Sequence, residues 1–371
     1  MSASLVVARA GMFDTVQDLG RRGFQDLGMP TAGAMDPVAL HLANALAGND
    51  EGTAALEISL LGPELRVEAD SARVAVVGPV RLSVVDAPAP AEVPRPLDAD
   101  RSHRLRRGQA LRVGAIDGVS VAYVAVEGGF DLTPFMGSLS TYARAGLGGL
   151  DGRKLRDGDL LPLKLAAVAE RAERRLAAPF DYGRGPVRVV LGPQDDYFSA
   201  AGLDAFLSGT YTVTKEADRM GFRLEGPAIA HNEKGADIAS DGIAPGAIQV
   251  PAEGQPIILL ADRQTIGGYT KIAAVISADL PRVCRLLPGK TLQFAAVSVA
   301  EAEAARRTLE ARLRTAIAAF ETAGPPDGID LDALYRENLI DGGGVNTVGE
   351  RRGHPWQDQS SIVLARARLR K

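Results

Sequence analysis

Three polar stretches of this sequence place amide, carboxylate and guanidinium side chains beside glycines that let a ligand approach the backbone. The first runs Thr15-Val16-Gln17-Asp18-Leu19-Gly20-Arg21 and continues through Gly28-Met29-Pro30-Thr31-Ala32-Gly33-Ala34-Met35-Asp36. Gln17, Asp18 and Arg21 supply an amide, an anion and a planar five-donor fork within one turn-rich segment. The same residue types also satisfy the backbone donors of ordinary loops, and it is their density that favours a site. In the second stretch, Asp218-Arg219-Met220-Gly221-Phe222-Arg223-Leu224, the residues Asp218, Arg219 and Arg223 suit either an ion pair or a bound carboxylate or phosphate. The third begins Gly246-Ala247-Ile248-Gln249-Val250-Pro251 and resumes as Asp262-Arg263-Gln264-Thr265-Ile266-Gly267-Gly268-Tyr269-Thr270-Lys271. The apolar run before it, IILLAD, reads as a buried strand that delivers Asp262, Arg263 and Gln264 to its end, where a rigid scaffold presents functional side chains. A further polar run, Ser138 to Arg144, precedes a glycine-dense segment, Gly146 to Gly152, that reads as a turn requiring positive φ.

Several chemistries are excluded by spacing. The four histidines, His41, His103, His231 and His354, are far apart in sequence, there is no HExxH, and the one cysteine, Cys284, rules out an internal disulfide and a multi-thiolate metal site. No metal is expected. Leu287-Pro288-Gly289-Lys290-Thr291 imitates the end of a phosphate loop, but Cys284 holds the position of the first glycine and a strand follows where a helix is needed. No Ala-Met-Lys-Met sequence is present, so biotin would arrive on another chain. A net charge of -4 argues against nucleic acid as a partner. The short basic runs Arg101–Arg107 and Arg366–Lys371 read as solvated faces. The opening MSASLVVARAGMF lacks a cationic segment followed by an apolar one, and no run reaches membrane-span length, so a soluble, cytoplasmic protein is expected.

The elements that must position these residues are mainly β. From Leu5 to about Leu163 short β-branched runs alternate with turns, interrupted by one helix with Asp36 as N-cap, Pro37 at its first position and a stop at Gly48. The segment from Leu165 to Pro186 reads first as helix-forming and then as a Pro- and Gly-broken connector. A second β-rich unit follows, with strands VRVVLGP, GTYTVTK, AIQVP, QPIILLAD, KIAAVIS and LQFAAVS and a short helix within DYFSAAGLDAFLS. Two similarly built barrels or sandwiches fit this pattern. Residues 299–322 carry an amphipathic helical period, and the tail beyond Ala323 holds a short helix, LDALYREN, and a GGG segment. The expected organisation is 1–170, 171–298 and a helical extension over 299–371.

The strings VQDLGRRGFQDLGMPTAGAMD, LEISLLGP, STYARAGLGGLDGRKLRDGD, DRMGFRLEGP and GAIQVPAEGQPIILLADRQTIGGYTKIAAVI, in this order over residues 5–297, resemble the allophanate hydrolase subunit 2 (KipA-like) carboxyltransferase family, which includes C subunits of 5-oxoprolinase. The resemblance implies a mainly β (α+β) fold of two cyclophilin-like β-barrel subdomains, A and B. It implies an ATP-dependent hydrolysis of 5-oxoproline to glutamate, carried out with a KipI-like (allophanate hydrolase subunit 1) protein and a LamB/YcsF-like subunit. The alternatives are carboxyl transfer in a biotin-dependent urea or amide carboxylase and a regulatory role of the kinase-inhibitor type. Ala217 stands where the family commonly has Ser, Cys284-Arg285 replaces a Gly-Gln-like pair, and the extension after Phe320 is unusual.

An unstrained lactam is a poor electrophile, and phosphoryl transfer to its oxygen is the chemical reason such a reaction uses ATP. The catalytic set expected for this chemistry is Asp18, Asp218, Asp262 and Gln264, the carboxylates organising donors or moving a proton. The substrate-binding set is Gln17, Arg21, Arg219, Arg223, Gln249, Arg263, Tyr269 and Lys271, with Arg219, Arg223, Arg263 or Lys271 holding the carboxylate or phosphate charge. A groove between the two subdomains is the expected pocket.

Overall fold

The strands fall into two main systems, the first built from the N-terminal half with one strand added from Glu321–Ala323, in a computed structural model that describes residues 3–86 and 94–324. In the first half a six-stranded sheet runs Leu160–Pro162, Ser4–Arg9, Glu64–Val67, Gln109–Ile116, Val80–Asp86, Arg95–Leu97. It faces a seven-stranded sheet in the order Thr15–Gln17, Ala55–Ser59, Val121–Val126, Ser71–Val77, Arg101–Arg106, Glu173–Arg175, Glu321–Ala323. The second half forms a nearly closed eight-stranded barrel: Thr291–Leu292, Tyr211–Ala217, Gly221–Glu225, Ile257–Leu259, Ala247–Gln249, Lys271–Val275, Val187–Leu191, Phe294–Ala296. A two-stranded arm, Asp237–Gly242 with Ile266–Tyr269, accompanies it. Gly221–Glu225 and both arm strands are strands that the sequence reading does not pick out. The mainly β architecture is the expected one.

The period of two along Val121–Val126 explains how the halves join. All six residues are buried because Ala122, Val124 and Val126 face the core between the two sheets while Val121, Tyr123 and Ala125 face a second core. That second core is continuous across both halves: it includes Leu40, Leu42 and Leu46 of helix α1 (Pro37–Ala47) together with Val189, Phe222 and Ile272 of the barrel. The described residues therefore pack as one compact unit. Helix α1 starts and stops as expected. The Asp36 carboxylate accepts from Val38 N and Ala39 N, both at 3.1 Å, and Gly48 closes the helix at φ 89°. Helices α2 (Ala200–Ser208) and α3 (Leu280–Val283) belong to the second half, and α4 (Val299–Ala318) opens with a capping box between Ser298 and Glu301.

Two expectations are corrected. The helix-forming stretch after Leu165 contains no helix; Glu173–Arg175 is instead a strand, paired with Glu321–Ala323 and with Arg101. The buried Arg73 guanidinium accounts for this, because its Nε donates to both Glu173 oxygens at 3.0 and 3.1 Å and its Nη1 pairs with Glu127. Arg171 turns towards the C-terminus of α1 and donates to Leu46 O and Ala47 O at 3.2 and 2.8 Å. These tertiary bonds override a weak helical propensity. Helix α4 likewise ends at Ala318, short of residue 322, because Glu321–Ala323 joins the sheet edge, where Glu321 accepts from Arg175 at 2.8 Å. The expected LDALYREN helix and GGG segment, His354 and the Arg366–Lys371 run lie outside the described residues.

One buried acid gives the fold a pH dependence. Asp14 accepts from Gly11 N at 2.7 Å, its other oxygen has no partner among the described residues, and burial pushes its pKa up to about 7. A carboxyl whose folded pKa exceeds its unfolded value of roughly 3.9 contributes stability that is fully present below that value and is lost as pH rises through the folded pKa. Urea unfolding should therefore show Asp14→Asn gaining stability relative to wild type between pH about 4 and about 7, with a constant difference above that. A difference independent of pH would contradict this reading.

Candidate functional site

The three polar stretches meet at the junction between the halves. Arg219 lies at their centre: its Nε and Nη2 donate to the Asp262 carboxylate at 3.0 and 2.9 Å, Nη2 also donates to Gly33 O at 2.7 Å, and Nη1 donates to Glu57. Burial opposes its charge, but Glu57 and Asp262 outweigh burial and hold its pKa above the ordinary arginine value. Glu57 further accepts from Met35 N at 2.8 Å and from the Tyr123 hydroxyl at 2.5 Å. The Tyr123 oxygen accepts from Asp36 N at 2.9 Å, and the second Asp36 oxygen accepts from Tyr182 at 2.7 Å and Arg285 at 2.9 Å. Arg285 also stacks on Tyr182, 4.2 Å from the ring centre. Burial, then the neighbouring Glu57 and Asp36, pushes the Tyr123 hydroxyl well above its usual range, so it stays a donor.

Asp18 staples the first stretch to the polar run after Met136. Its carboxylate accepts from Gly20 N at 2.8 Å, Ser138 Oγ at 2.7 Å, Leu139 N at 2.6 Å and Ser140 Oγ at 2.5 Å. Gln17 donates to Thr15 Oγ1 at 3.0 Å and Thr141 O at 3.1 Å. Arg21 is buried, its Nη2 donating to Ser140 O, while Nε and Nη1 have no partner among the described residues. Gly148 makes room for this fork: at φ 68°, a Cβ there would lie 2.8 Å from Arg21 Nη2 and 2.2 Å from Ser140 O. Gln249 and Lys271 face each other across paired strands. Lys271 Nζ lies 3.2 Å from Asp241, and a Cβ at Gly267 would lie 2.8 Å from Gln249 Nε2 and 3.5 Å from Gln264 Nε2, so both amides converge on that glycine.

The remaining expected residues lie apart from this network. Asp218 caps a solvent-facing turn, accepting from Met220 N at 2.7 Å and Gly221 N at 3.3 Å. Arg223 projects outward from its strand and pairs with Glu216 at 2.9 Å. Tyr269 is exposed on the two-stranded arm. Each of the Asp18, Asp218 and Asp262 carboxylates is engaged by backbone, hydroxyl or guanidinium donors. Glu57 and Tyr123 are missing from the expected set. Each sits inside an apolar run, and its polar partner comes from a distant part of the chain.

Beside the network is a cavity of about 190 Å³. It is lined by Leu19, Thr31 and Met35 of the first stretch, by Leu260 of the apolar run before the third, by Arg263 of the third and by Cys284. Arg22 and Arg306 add two more cations, and no acidic residue lines it. Arg263 is buried, anchored through Nε to Ile243 O at 3.1 Å and through Nη1 to Leu260 O at 3.2 Å. Burial pushes its pKa down to about 10, so it is a cation at neutral pH. Cys284 is no nucleophile, since burial pushes its thiol up. The cavity thus suits a small anion with an aliphatic body. Among the described residues no group of His, Cys, Asp and Glu has the arrangement of a metal site, and no helix is long and apolar enough to cross a membrane.

Residues 27–296 match the family model for the carboxyltransferase domain, subdomain A and B, and the chain belongs to that family. It is similar to the 5-oxoprolinase C subunit of Escherichia coli (strain K12), 36% identical over 304 residues that cover 82% of this chain and 94% of that protein. The matching 5-oxoprolinase protein of Haemophilus influenzae is also 36% identical, with 80% and 92% covered. Among solved structures, the Kluyveromyces lactis urea amidolyase superposes with a TM-score of 0.74 at 27% identity, covering 85% of this chain and 20% of that one.

Proposed function

We propose that this chain is the subunit of an ATP-dependent 5-oxoprolinase that holds the lactam substrate, in the cavity between its two halves, by the substrate carboxylate. The observation that carries this reading is the buried Arg263 guanidinium in an otherwise largely aliphatic, acid-free cavity bounded by both polar stretches. Of the other cations expected to hold that charge, Arg219 is committed to Asp262, Glu57 and Gly33, and neither Arg223, paired with Glu216 at the surface, nor Lys271, 3.2 Å from Asp241, lines this cavity. Support from relatives is of the same kind, since the two 5-oxoprolinase proteins match this chain over nearly their whole length. In this reading the domain plan is two cyclophilin-like β-barrel subdomains, 1–170 and 171–298, followed by the extension 299–371.

Arg263 fixes the carboxylate, and Leu19, Met35 and Leu260 pack on the ring and keep water from it. Transfer of the γ-phosphoryl group of ATP to the lactam oxygen then releases ADP and makes the ring carbon electrophilic; one water adds and the C–N bond breaks to leave a glutamyl acyl phosphate, and a second water releases glutamate and phosphate. The cavity itself does not fit a nucleotide, being smaller than the roughly 300–1,000 Å³ of ordinary small-molecule sites. The Leu287–Thr291 turn leads into the strand Thr291–Leu292, so it does not form a phosphate loop either. ATP binding is assigned to the assembled complex, with a KipI-like and a LamB/YcsF-like subunit as partners.

The test is ATP-dependent formation of glutamate from 5-oxoproline by this chain co-purified with those two partners, each omitted in turn. Glutamate only with all subunits is the expected result; none from the intact, folded complex overturns the reading. The urea amidolyase superposition favours a second reading, carboxyl transfer to a urea-like amide. It requires a biotin-bearing partner, which a biotin blot of the purified complex would reveal.

A further inference from the structure

A second cleft, of about 430 Å³, lies between α4 and the barrel. It falls within the size range of small-molecule sites. Four arginines line it, Arg184, Arg188, Arg282 and Arg312, against one acidic residue, Asp279. Asp279 is shared: its Oδ1 accepts from Arg188 Nη2 at 2.6 Å, and its Oδ2 accepts from Arg188 Nε and Arg282 Nη2, both at 3.2 Å. Arg312 reaches Asp181, with Nη2 and Oδ2 separated by 3.2 Å. Four guanidiniums thus face two carboxylates. Arg184 has no hydrogen bond or ion pair among the described residues, and Arg282 Nε is a buried donor without a partner. Arg282 is otherwise held by the fold, Nη1 donating to Gly185 O at 2.7 Å and Nη2 to Pro186 O at 3.0 Å, so Arg184 is the guanidinium left free for a ligand. Ala278, Ala295 and Leu309 also line the cleft, and Asp279 is the one acidic side chain in its lining.

We propose that this cleft binds the phosphate groups of a small phosphate-bearing molecule. Guanidinium forks lining one space suit the several oxygens of a diphosphate better than a single carboxylate, because a fork can pair with two oxygens of a tetrahedral group. The site is separate from the cavity holding Arg263. One wall is α4, whose residues lie beyond Ala296, the last residue matched by the family model.

Calorimetric titration of the full chain with pyrophosphate tests the proposal without any partner or turnover. Saturable binding that weakens as salt is raised is expected. Loss of two charge-assisted contacts in the Arg184→Ala/Arg312→Ala double variant should weaken it by about tenfold or more. Arg184→Ala alone, which removes no bond that the fold uses, should weaken it in the same direction, and this variant keeps the test sound if the double variant is unstable. ATP binding more tightly than tripolyphosphate would identify a nucleotide as the source of the phosphates, and equal binding would identify inorganic polyphosphate; both outcomes support the site. Absence of binding at millimolar pyrophosphate, or equal affinity in wild type and both variants, overturns it.

Discussion

Replacing Arg219 with methionine is expected to destabilise the protein by about 3–5 kcal/mol, because removing one partner of a buried ion pair leaves the other charge uncompensated. Here two carboxylates are left, Glu57 and Asp262, both buried. They come from opposite halves of the chain, so the loss falls on the junction itself. Arg219→Met with Glu57→Gln should recover part of the loss, since the glutamine can still accept from Met35 N and Tyr123 without carrying charge. Urea unfolding of the single and double variants measures both effects. A single variant within about 1 kcal/mol of wild type, the range of an exposed pair, would show that the network is not what holds the halves together.

Arg263→Met is expected to leave the assembled enzyme folded and to lower kcat/KM for 5-oxoproline by about 10–100-fold, the equivalent of about 1.5–3 kcal/mol for a hydrogen bond to a charged group. The change should appear mainly in KM if the carboxylate is held equally before and during reaction, and in kcat if the clamp also aligns the lactam with the phosphoryl donor. Arg263 also donates to Ile243 O and Leu260 O, so a purely structural role has a distinct signature: a lower unfolding midpoint with unchanged KM. Arg263→Lys keeps the charge but not the fork and should fall between wild type and the methionine variant.

How far the sequence reaches can be judged from particular residues. Helix α1 was readable to the residue because its signals are local, Asp36-Pro37 at one end and Gly48 at the other. The three polar stretches were also readable as special, and two of them bound the cavity. What each polar residue does there was not readable. Arg219 and Arg223 look alike in one short string, yet one meets Glu57 across 162 positions while the other meets Glu216 at the surface. That assignment depends on tertiary placement, which spacing does not encode. The segment after Leu165 failed for a related reason: its Ala, Glu and Arg content favours a helix, but Arg73 and the carbonyls ending α1 recruit Glu173 and Arg171 away from one. A groove between the subdomains was the expected pocket, but its lining was not readable because the cavity walls are mostly aliphatic residues, indistinguishable in sequence from core.

The central claim is that the cavity between the halves holds the substrate by its carboxylate. A crystal of the chain in its complex, soaked with 5-oxoproline, tests this most directly. The expected result is ligand density against Leu19, Met35 and Leu260, with its carboxylate in hydrogen-bond contact with Arg263. Density for 5-oxoproline at another surface of a complex that turns it over, with Arg263 making no contact to it, would contradict the account.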